Sequence, residues 1–365
     1  MIEFENLGKS NQRFFKQFQT EFNSFSNSGW YVLGERVQNF EREFAEYIGT
    51  KYCIGVASGL DALILSLKAL ELPKGGEVIV PANTYIARIL AIINADLTPV
   101  LVEPNLDSYN ISPAAVVASL GPQTCAILCV HMYGNPCEMN SLVEICKNNN
   151  LKLIEDVAQA HGSTYFEKKL GSFGNTGAFS FYPTKNLGAL GDAGAIVTDD
   201  EELAKKLTAL RNYGSHSKYN FEYLGMNSRL DAIQAGFLSI KLRELDSMLE
   251  HKRKLAKLYL ENLNSEFIIP SEKKGLKNTY HIFPIRHPKR DLLKKFLEEN
   301  GIKTEIHYPI PPHKQKCMQD RFEAEYPITE DIHQTILSLP ISFGHSEDDV
   351  LKVIEALNSF AQESK

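Results

Sequence analysis

Short runs rich in Val, Ile and Leu recur between residues 77 and 198, each separated from the next by a stretch of helical periodicity. The runs are Glu77–Val80, Thr98–Glu103, Cys125–His131, Lys152–Asp156, Ala178–Phe181 and Ala195–Thr198. Strands that are apolar along most of their length are buried on both faces. Strands alternating with helices predict parallel pairing through crossover connections. The fold class this implies is α/β, a mostly parallel sheet covered by helices. From Arg229 to about Leu263 the pattern turns helical without strong breakers, through Ile233, Phe237, Ile240 and Leu245 to Leu255, Leu258 and Leu263. That stretch carries the chain out of the sheet-bearing unit. Strand candidates at Thr279–Ile285 and Thr304–Tyr308, with helices near Asp291–Asn300 and Glu347–Phe360, predict a smaller C-terminal α+β unit. The expected division is 1–245 and 246–365.

The 365 residues leave ample apolar content for such a core. A net charge of −6 and the lack of any Lys/Arg-rich block argue against nucleic acid as a partner. The six cysteines include no CxxC pair, so metal-ligand spacing is absent and they read as core thiols of a reducing compartment. Glu3 and Glu5 stand where a secretory signal would be basic, and no apolar run approaches the roughly eighteen residues of a membrane span. The expectation is a cytoplasmic protein with no metal, no membrane and a small molecule or another protein as its partner.

Chemistry enters with Lys185, in the run Phe179-Ser180-Phe181-Tyr182-Pro183-Thr184-Lys185-Asn186-Leu187-Gly188, and with Asp156, which closes the run Leu151-Lys152-Leu153-Ile154-Glu155-Asp156. An amine able to form a Schiff base, downstream of an acid able to keep a pyridine nitrogen protonated, is the pair that pyridoxal phosphate (PLP) chemistry needs. A carboxylate leaving a buried strand is costly unless it meets a cation, and a pyridinium is one; a structural salt bridge is the competing reading. Ser58, Gly59 and Leu60 open a helix running from Ala62 to Leu70, so their amides could cup a phosphate, or Ser58 could be an ordinary N-cap. Tyr85, in Pro81-Ala82-Asn83-Thr84-Tyr85, follows a strand and could stack on a flat ring or simply sit in the core. Gln159, one turn beyond Asp156, is within reach of a cofactor's phenolic oxygen. Met226-Asn227-Ser228-Arg229 offers an amide and a guanidinium suited to phosphate oxygens, or a capped loop.

Taken together, Gly-Leu-Asp-Ala (59–62), Pro-Ala-Asn-Thr-Tyr (81–85), Glu-Asp-Val-Ala-Gln-Ala-His-Gly (155–162), Phe-Tyr-Pro-Thr-Lys-Asn-Leu-Gly (181–188) and Asn-Ser-Arg-Leu-Asp (227–231) resemble the DegT/DnrJ/EryC1/StrS family of PLP-dependent sugar-nucleotide aminotransferases. The resemblance runs from Trp30-Tyr31-Val32-Leu33-Gly34 to His307-Tyr308-Pro309 and Leu339-Pro340. It implies an aspartate-aminotransferase-like large domain of fold type I and a homodimer with active sites at the subunit interface. It further implies that Lys185 forms the Schiff base, Asp156 pairs with the pyridine nitrogen, Tyr85 stacks on the ring and Gln159 lies near the ring hydroxyl. Ser58, Gly59, Leu60 and Ser180 would hold the phosphate, with Asn227 reaching it from the neighbouring subunit. Related sugar dehydratases carry histidine at the position of Lys185, so the lysine favours amino transfer. Tyr182, three residues before the lysine, would face the sugar, and His307 and Tyr308 match family positions that line the sugar pocket, a buried structural role being the alternative for each; Arg229 would serve a phosphate of the substrate, with packing of the interface the favoured alternative. His161, on an expected helix after Asp156, reads as structural.

A finer resemblance, in Arg211-Asn212-Tyr213-Gly214-Ser215 and in Gly59-Leu60, is to the subgroup that aminates dTDP-3-keto-6-deoxyhexoses. It implies transfer of nitrogen from L-glutamate to C3 of the sugar, with the galacto product favoured over gluco. The chain departs from the subgroup at Met132 and at Gly236, where a helix-interior glycine costs about 1 kcal/mol relative to alanine. Amination at C4, a Schiff-base lyase or aldolase without PLP, and a noncatalytic regulator on the same fold are the rival functions.

Overall fold

The structure is a computed structural model that describes residues 1–363. Among these residues one sheet has seven strands, β1 (Tyr52–Val56), β2 (Glu77–Pro81), β3 (Thr98–Val102), β4 (Thr124–Val130), β5 (Lys152–Asp156), β6 (Thr176–Ser180) and β7 (Gly194–Thr198). Their order is β1-β7-β6-β5-β4-β2-β3. The five strands from β6 to β3 pair in parallel. The chain is therefore α/β with a mostly parallel sheet, as the alternation predicted. Strand β7, expected to be parallel, runs antiparallel to both its neighbours. A parallel return needs a crossover element, and residues 181–193 supply only turns.

The pleat sends alternate residues to opposite faces. Leu153 of β5 and Phe179 of β6, with Phe181 just beyond, enter one core together with Phe40 and Phe44 of α2 (Glu35–Ile48). The ring of Phe44 packs edge-on against Phe179 and Phe181, with centroids 4.9 and 5.2 Å away, so truncating it to alanine should cost about 3–5 kcal/mol. Ile154 and Ala178 face the other way, into a second core with α3 (Gly59–Ala69) and α4 (Ala87–Asn94). The same alternation sends Glu155 and Asp156 to opposite sides of the sheet, and puts Ser180 on the side of Asp156.

The expected single helix from Arg229 to Leu263 is two helices, α5 (Ala232–Leu242) and α6 (Leu245–Asn262), separated at Arg243-Glu244. Leu245 and Leu249 of α6 pack in the sheet core, while Leu255, Ala256 and Tyr259 belong to a third core, so the chain passes between cores along this one helix. The third core is closed by an antiparallel pair, β8 (Phe283–Arg286) and β9 (Ile336–Leu339), and by α7 (Arg290–Glu299) and α8 (Glu347–Glu363). Strand β8 is shorter than the expected Thr279–Ile285. The stretch Thr304–Tyr308 is not a strand; Glu305 makes one isolated bridge to Ser338, and the hydrogen-bonding partner of β8 is β9 instead. Ile2 bridges to Ile302 and packs against the third core, so the first residues lie with the C-terminal elements.

Gly236 has a packing reason. A Cβ there would come 2.6–2.9 Å from the carboxyl end of Glu21, on α1 (Phe15–Ser28), and that carboxylate holds Arg36 at 2.5 Å. Among the described residues no helix is long and apolar enough to cross a membrane, and no group of three or more His, Cys, Asp or Glu is disposed to hold a metal ion.

Candidate functional site

A cavity of about 540 Å³ opens at the carboxyl ends of β5 and β6, where ligands of open α/β sheets bind. Its rim begins with α3. Ser58 has extended backbone and its hydroxyl accepts the Asp61 amide at 3.1 Å, so it is an N-cap. The capped first turn leaves amides without intrahelical acceptors, at the positive end of the helix dipole. Gly59 is pressed against Ser180: a Cβ would lie 2.9 Å from the Ser180 hydroxyl and 3.0 Å from its Cα. Only glycine lets α3 approach β6 this closely. Ser228 braces the turn from below, donating to Asp61 Oδ2 at 2.7 Å and accepting from the Ala57 amide at 3.1 Å.

Lys185 follows β6 in a turn closed by its own amide on the Tyr182 carbonyl at 2.8 Å. Its Nζ lies 3.4 Å from His281 Nε2. Part of its surface stays open to the cavity, but the amine is shielded: burial and the nearby Arg88 guanidinium lower its pKa to about 8, against the pull of Asp156. About a tenth of the amine is then uncharged, and nucleophilic, at pH 7, far more than for an ordinary lysine. Asp156 is 1% exposed. Its Oδ1 accepts the Ala158 amide at 2.9 Å, and its Oδ2 forms an ion pair with Arg88 Nε.

Tyr85 is half-exposed at the mouth, its ring 5.1 Å from that of Tyr308. Gln159 is fixed at both ends of its amide, Oε1 accepting the Tyr133 amide at 2.8 Å and Nε2 donating to the Tyr308 hydroxyl at 3.2 Å. The expected helix after Asp156 is absent; residues 157–163 form turns, and these aim Gln159 at the cavity. His161 lies buried under the same turns, its ring 5.6 Å from those of Phe179 and Phe181, and burial with the Lys185 charge lowers its pKa to about 3. His307 also lines the cavity, with Nδ1 2.9 Å from the Ser338 hydroxyl; burial and Lys185 lower it to about 4. Tyr182 and Leu60 complete the lining expected from sequence.

Two expected residues lie elsewhere. Asn227 and Arg229 line a second opening of about 480 Å³ that meets the first at Asp192. Arg229 donates to Asn212 Oδ1 at 3.1 Å and rests over the Tyr213 ring. Conversely, the cavity contains Arg88 and His281, which the motifs did not single out. Arg88 stands three residues after Tyr85, in the first turn of α4, where its place in the cavity depends on how that helix packs. His281 fell inside an expected strand and carried no separate signal.

The arrangement presents an anion site at α3, a flat face at Tyr85, a carboxylate for a cation and an amine for an electrophile. PLP carries a phosphate, an aromatic ring, a basic nitrogen and an aldehyde on one frame, and the first-turn amides of Gly59 and Leu60, left without intrahelical acceptors, suit its phosphate. The residues present fit it.

The model of the DegT/DnrJ/EryC1/StrS aminotransferase family matches residues 13–358. The chain is 50% identical over 361 residues to the dTDP-3-amino-3,6-dideoxy-alpha-D-galactopyranose transaminase of Aneurinibacillus thermoaerophilus, covering 99% of each protein. It is similar in structure to S. venezuelae DesV in complex with a ketimine intermediate, with a TM-score of 0.96 at 40% identity over 99% of this chain and 98% of that one. NtdA from Bacillus subtilis with bound cofactor PMP gives a TM-score of 0.92 at 29% identity over 98% of this chain and 85% of that one.

Proposed function

The chain belongs to the DegT/DnrJ/EryC1/StrS aminotransferase family and is a PLP-dependent sugar aminotransferase; we propose that it moves the amino group of L-glutamate to C3 of a dTDP-3-keto-6-deoxyhexose, giving the 3-amino-3,6-dideoxy-galactose product. The observation that carries this reading is the convergence of Lys185, Asp156 and the N-terminus of α3 on one cavity. The sugar assignment draws on the half-identical transaminase of A. thermoaerophilus.

When bound, PLP supplies the electron sink that makes removal of an α-proton feasible. In the roles proposed for the chain's own residues, Lys185 Nζ would anchor the cofactor and, when free, act as the acid–base group that takes a proton from the donor's Cα in the first half-reaction and delivers one to C3 of the sugar in the second. Asp156 keeps the ring nitrogen protonated. Tyr85 packs on the ring, Gln159 lies by its hydroxyl, and Ser58, Gly59, Leu60 and Ser180 hold the phosphate. Tyr182, His307 and Tyr308 contact the sugar from the cavity wall. Asn227 and Arg229, set around the second opening, act in the site of a neighbouring subunit of a homodimer. The chain divides near residue 245 into a cofactor domain and a smaller C-terminal one, with the first residues packed on the smaller domain and the start of α6 on the larger, in a cytoplasmic enzyme.

The test is to supply dTDP-3-keto-6-deoxy-galactose and its gluco epimer with glutamate, and to identify the amino sugar by mass and NMR. Nitrogen on C3 with galacto geometry is expected. Nitrogen on C4, or turnover of the 4-keto sugar alone, would overturn the substrate assignment. For the shared site, mixing Lys185→Ala with Asn227→Asp protein should restore part of the activity through heterodimers, and no recovery would remove Asn227 from a partner's site.

A further inference from the structure

Arg88 has no role in the reaction as described, yet it occupies the most consequential position in the cavity. It stands on α4 about one turn after Tyr85, and its side chain is 6% exposed. Taking a guanidinium out of water is costly unless a carboxylate meets it, and the carboxylate it meets is Asp156, through Nε and Oδ2. Asp156 spends its other oxygen on the Ala158 amide. The acid proposed to hold the ring nitrogen is thus already engaged by a cation that cannot be deprotonated in a protein.

Other charged or titratable groups face this pair from each neighbouring element. Tyr85 comes from the loop before α4, Lys185 from the turn after β6, Asp192 from the loop before β7, and Tyr308, His307 and His281 from the C-terminal elements. Burial opposes the charge on Arg88, but Asp156 together with Tyr308 and Tyr85 more than offsets this and keeps it cationic. The same guanidinium helps lower the proton affinity of Lys185.

Resting on the PLP reading, we propose that Arg88 is a positioning residue that shares Asp156 with the cofactor's ring nitrogen. It fixes the carboxylate's direction, and it divides one negative charge between two cations. Two consequences follow. A proton on any cationic group near the pair is held less tightly than beside a lone carboxylate. And when Arg88 is neutralised, the cofactor becomes the main cation available to a buried Asp156, so the fold leans on the cofactor more heavily.

The experiment uses PLP-loaded wild type, Arg88→Gln, Arg88→Lys and both substitutions at Arg88 combined with Asp156→Asn. Two readouts are taken: the pH midpoint of the visible cofactor band, and the rise in Tm when PLP is added to cofactor-free protein. Arg88→Gln should move the midpoint up by about one unit, since loss of one close positive charge favours the protonated form, and should enlarge the PLP-induced Tm rise. Arg88→Lys should stay near wild type in both. In the Asp156→Asn background Arg88→Gln should lose most of its effect on the Tm rise, which is the coupling expected of a shared partner. An unchanged midpoint and an unchanged Tm rise in Arg88→Gln overturn the proposal. If Arg88→Gln does not fold, the double variant, which removes both charges, should; its failure to fold also overturns the proposal. A wild-type protein with no Lys185-dependent band is a different outcome, and it sinks the PLP reading itself.

Discussion

Glu155 and Asp156 are consecutive carboxylates at the end of one strand, both hidden from water, and they are satisfied in opposite ways. Glu155, on the face of β5 away from the cavity, accepts the amides of Gly171, Phe173 and Gly174 at 2.7–2.8 Å, and His131 Nε2 lies 3.3 Å from it. His131 in turn accepts the Cys137 amide on Nδ1, which leaves its proton on the nitrogen facing Glu155. Asp156 meets one backbone amide and one long side chain. A cage of backbone amides cannot be exchanged without unfolding the turn that carries it. A guanidinium on a flexible stem can make room. Two acids with the same burial therefore serve different ends, one tying the 171–174 turn to the sheet, the other left available for chemistry.

The comparison breaks most visibly at Glu155. Glu155→Ala orphans three amides and a histidine, each worth about 1–3 kcal/mol when buried unpaired, so the urea-unfolding free energy should fall by roughly 4 kcal/mol or more. A loss under about 1 kcal/mol would mean the cage is not what holds the turn. Asp156→Asn sharpens the contrast from the other side. The amide oxygen still accepts from Ala158, but the buried Arg88 loses its counter-charge, so folding should suffer by about 3–5 kcal/mol, while the single-turnover rate with glutamate should drop on the order of a hundredfold. Activity within a few-fold of wild type would take Asp156 out of the reaction.

Much of this contrast was legible in the sequence, and the parts that were not share a cause. The period-two alternation of a strand announces that neighbours at 155 and 156 face apart, and the helix opening at Ser58 is written in its own residues. The antiparallel direction of β7 was hidden because a strand's direction depends on the connection before it, and the 181–193 loop has no pattern of its own. Strand β9 follows the helix Pro327–Thr335 with no Gly or Pro between, so the apolar run reads as more helix. The break at Arg243-Glu244 likewise has no breaker residue. Arg88 was invisible as a partner of Asp156 because the 67 residues between them are folded back by the sheet order, which only tertiary packing sets.

Smaller effects refine the cavity side. If only the uncharged amine of Lys185 attacks, the rate at which PLP attaches to cofactor-free protein should rise with pH through a midpoint near 8 and fall away below it. Stopped-flow growth of the visible band measures this, and a midpoint close to that of an ordinary lysine, about 10.4, would show that the amine is not shielded. Ser228→Ala removes the brace under the α3 turn, at a cost of about 0.5–1.5 kcal/mol. PLP titration should show affinity weakened by roughly three- to tenfold; unchanged affinity would make the brace dispensable.

Among the described lysines burial acts most strongly on Lys185, lowered to about 8, on Lys241, lowered to about 8, where its amine caps the Gly188 carbonyl, and on Lys252, lowered to about 7, where it holds Asn186 Oδ1 and the His281 carbonyl. Reactivity alone does not separate them, but position does, because Lys185 lines the cavity beside Asp156 while the other two are spent on bracing the segment that follows it. Borohydride reduction of the PLP-loaded protein, followed by peptide mass mapping, therefore tests the central claim directly. The pyridoxyl group is expected on Lys185; an adduct on Lys241, Lys252 or any other lysine with Lys185 unmodified would contradict it.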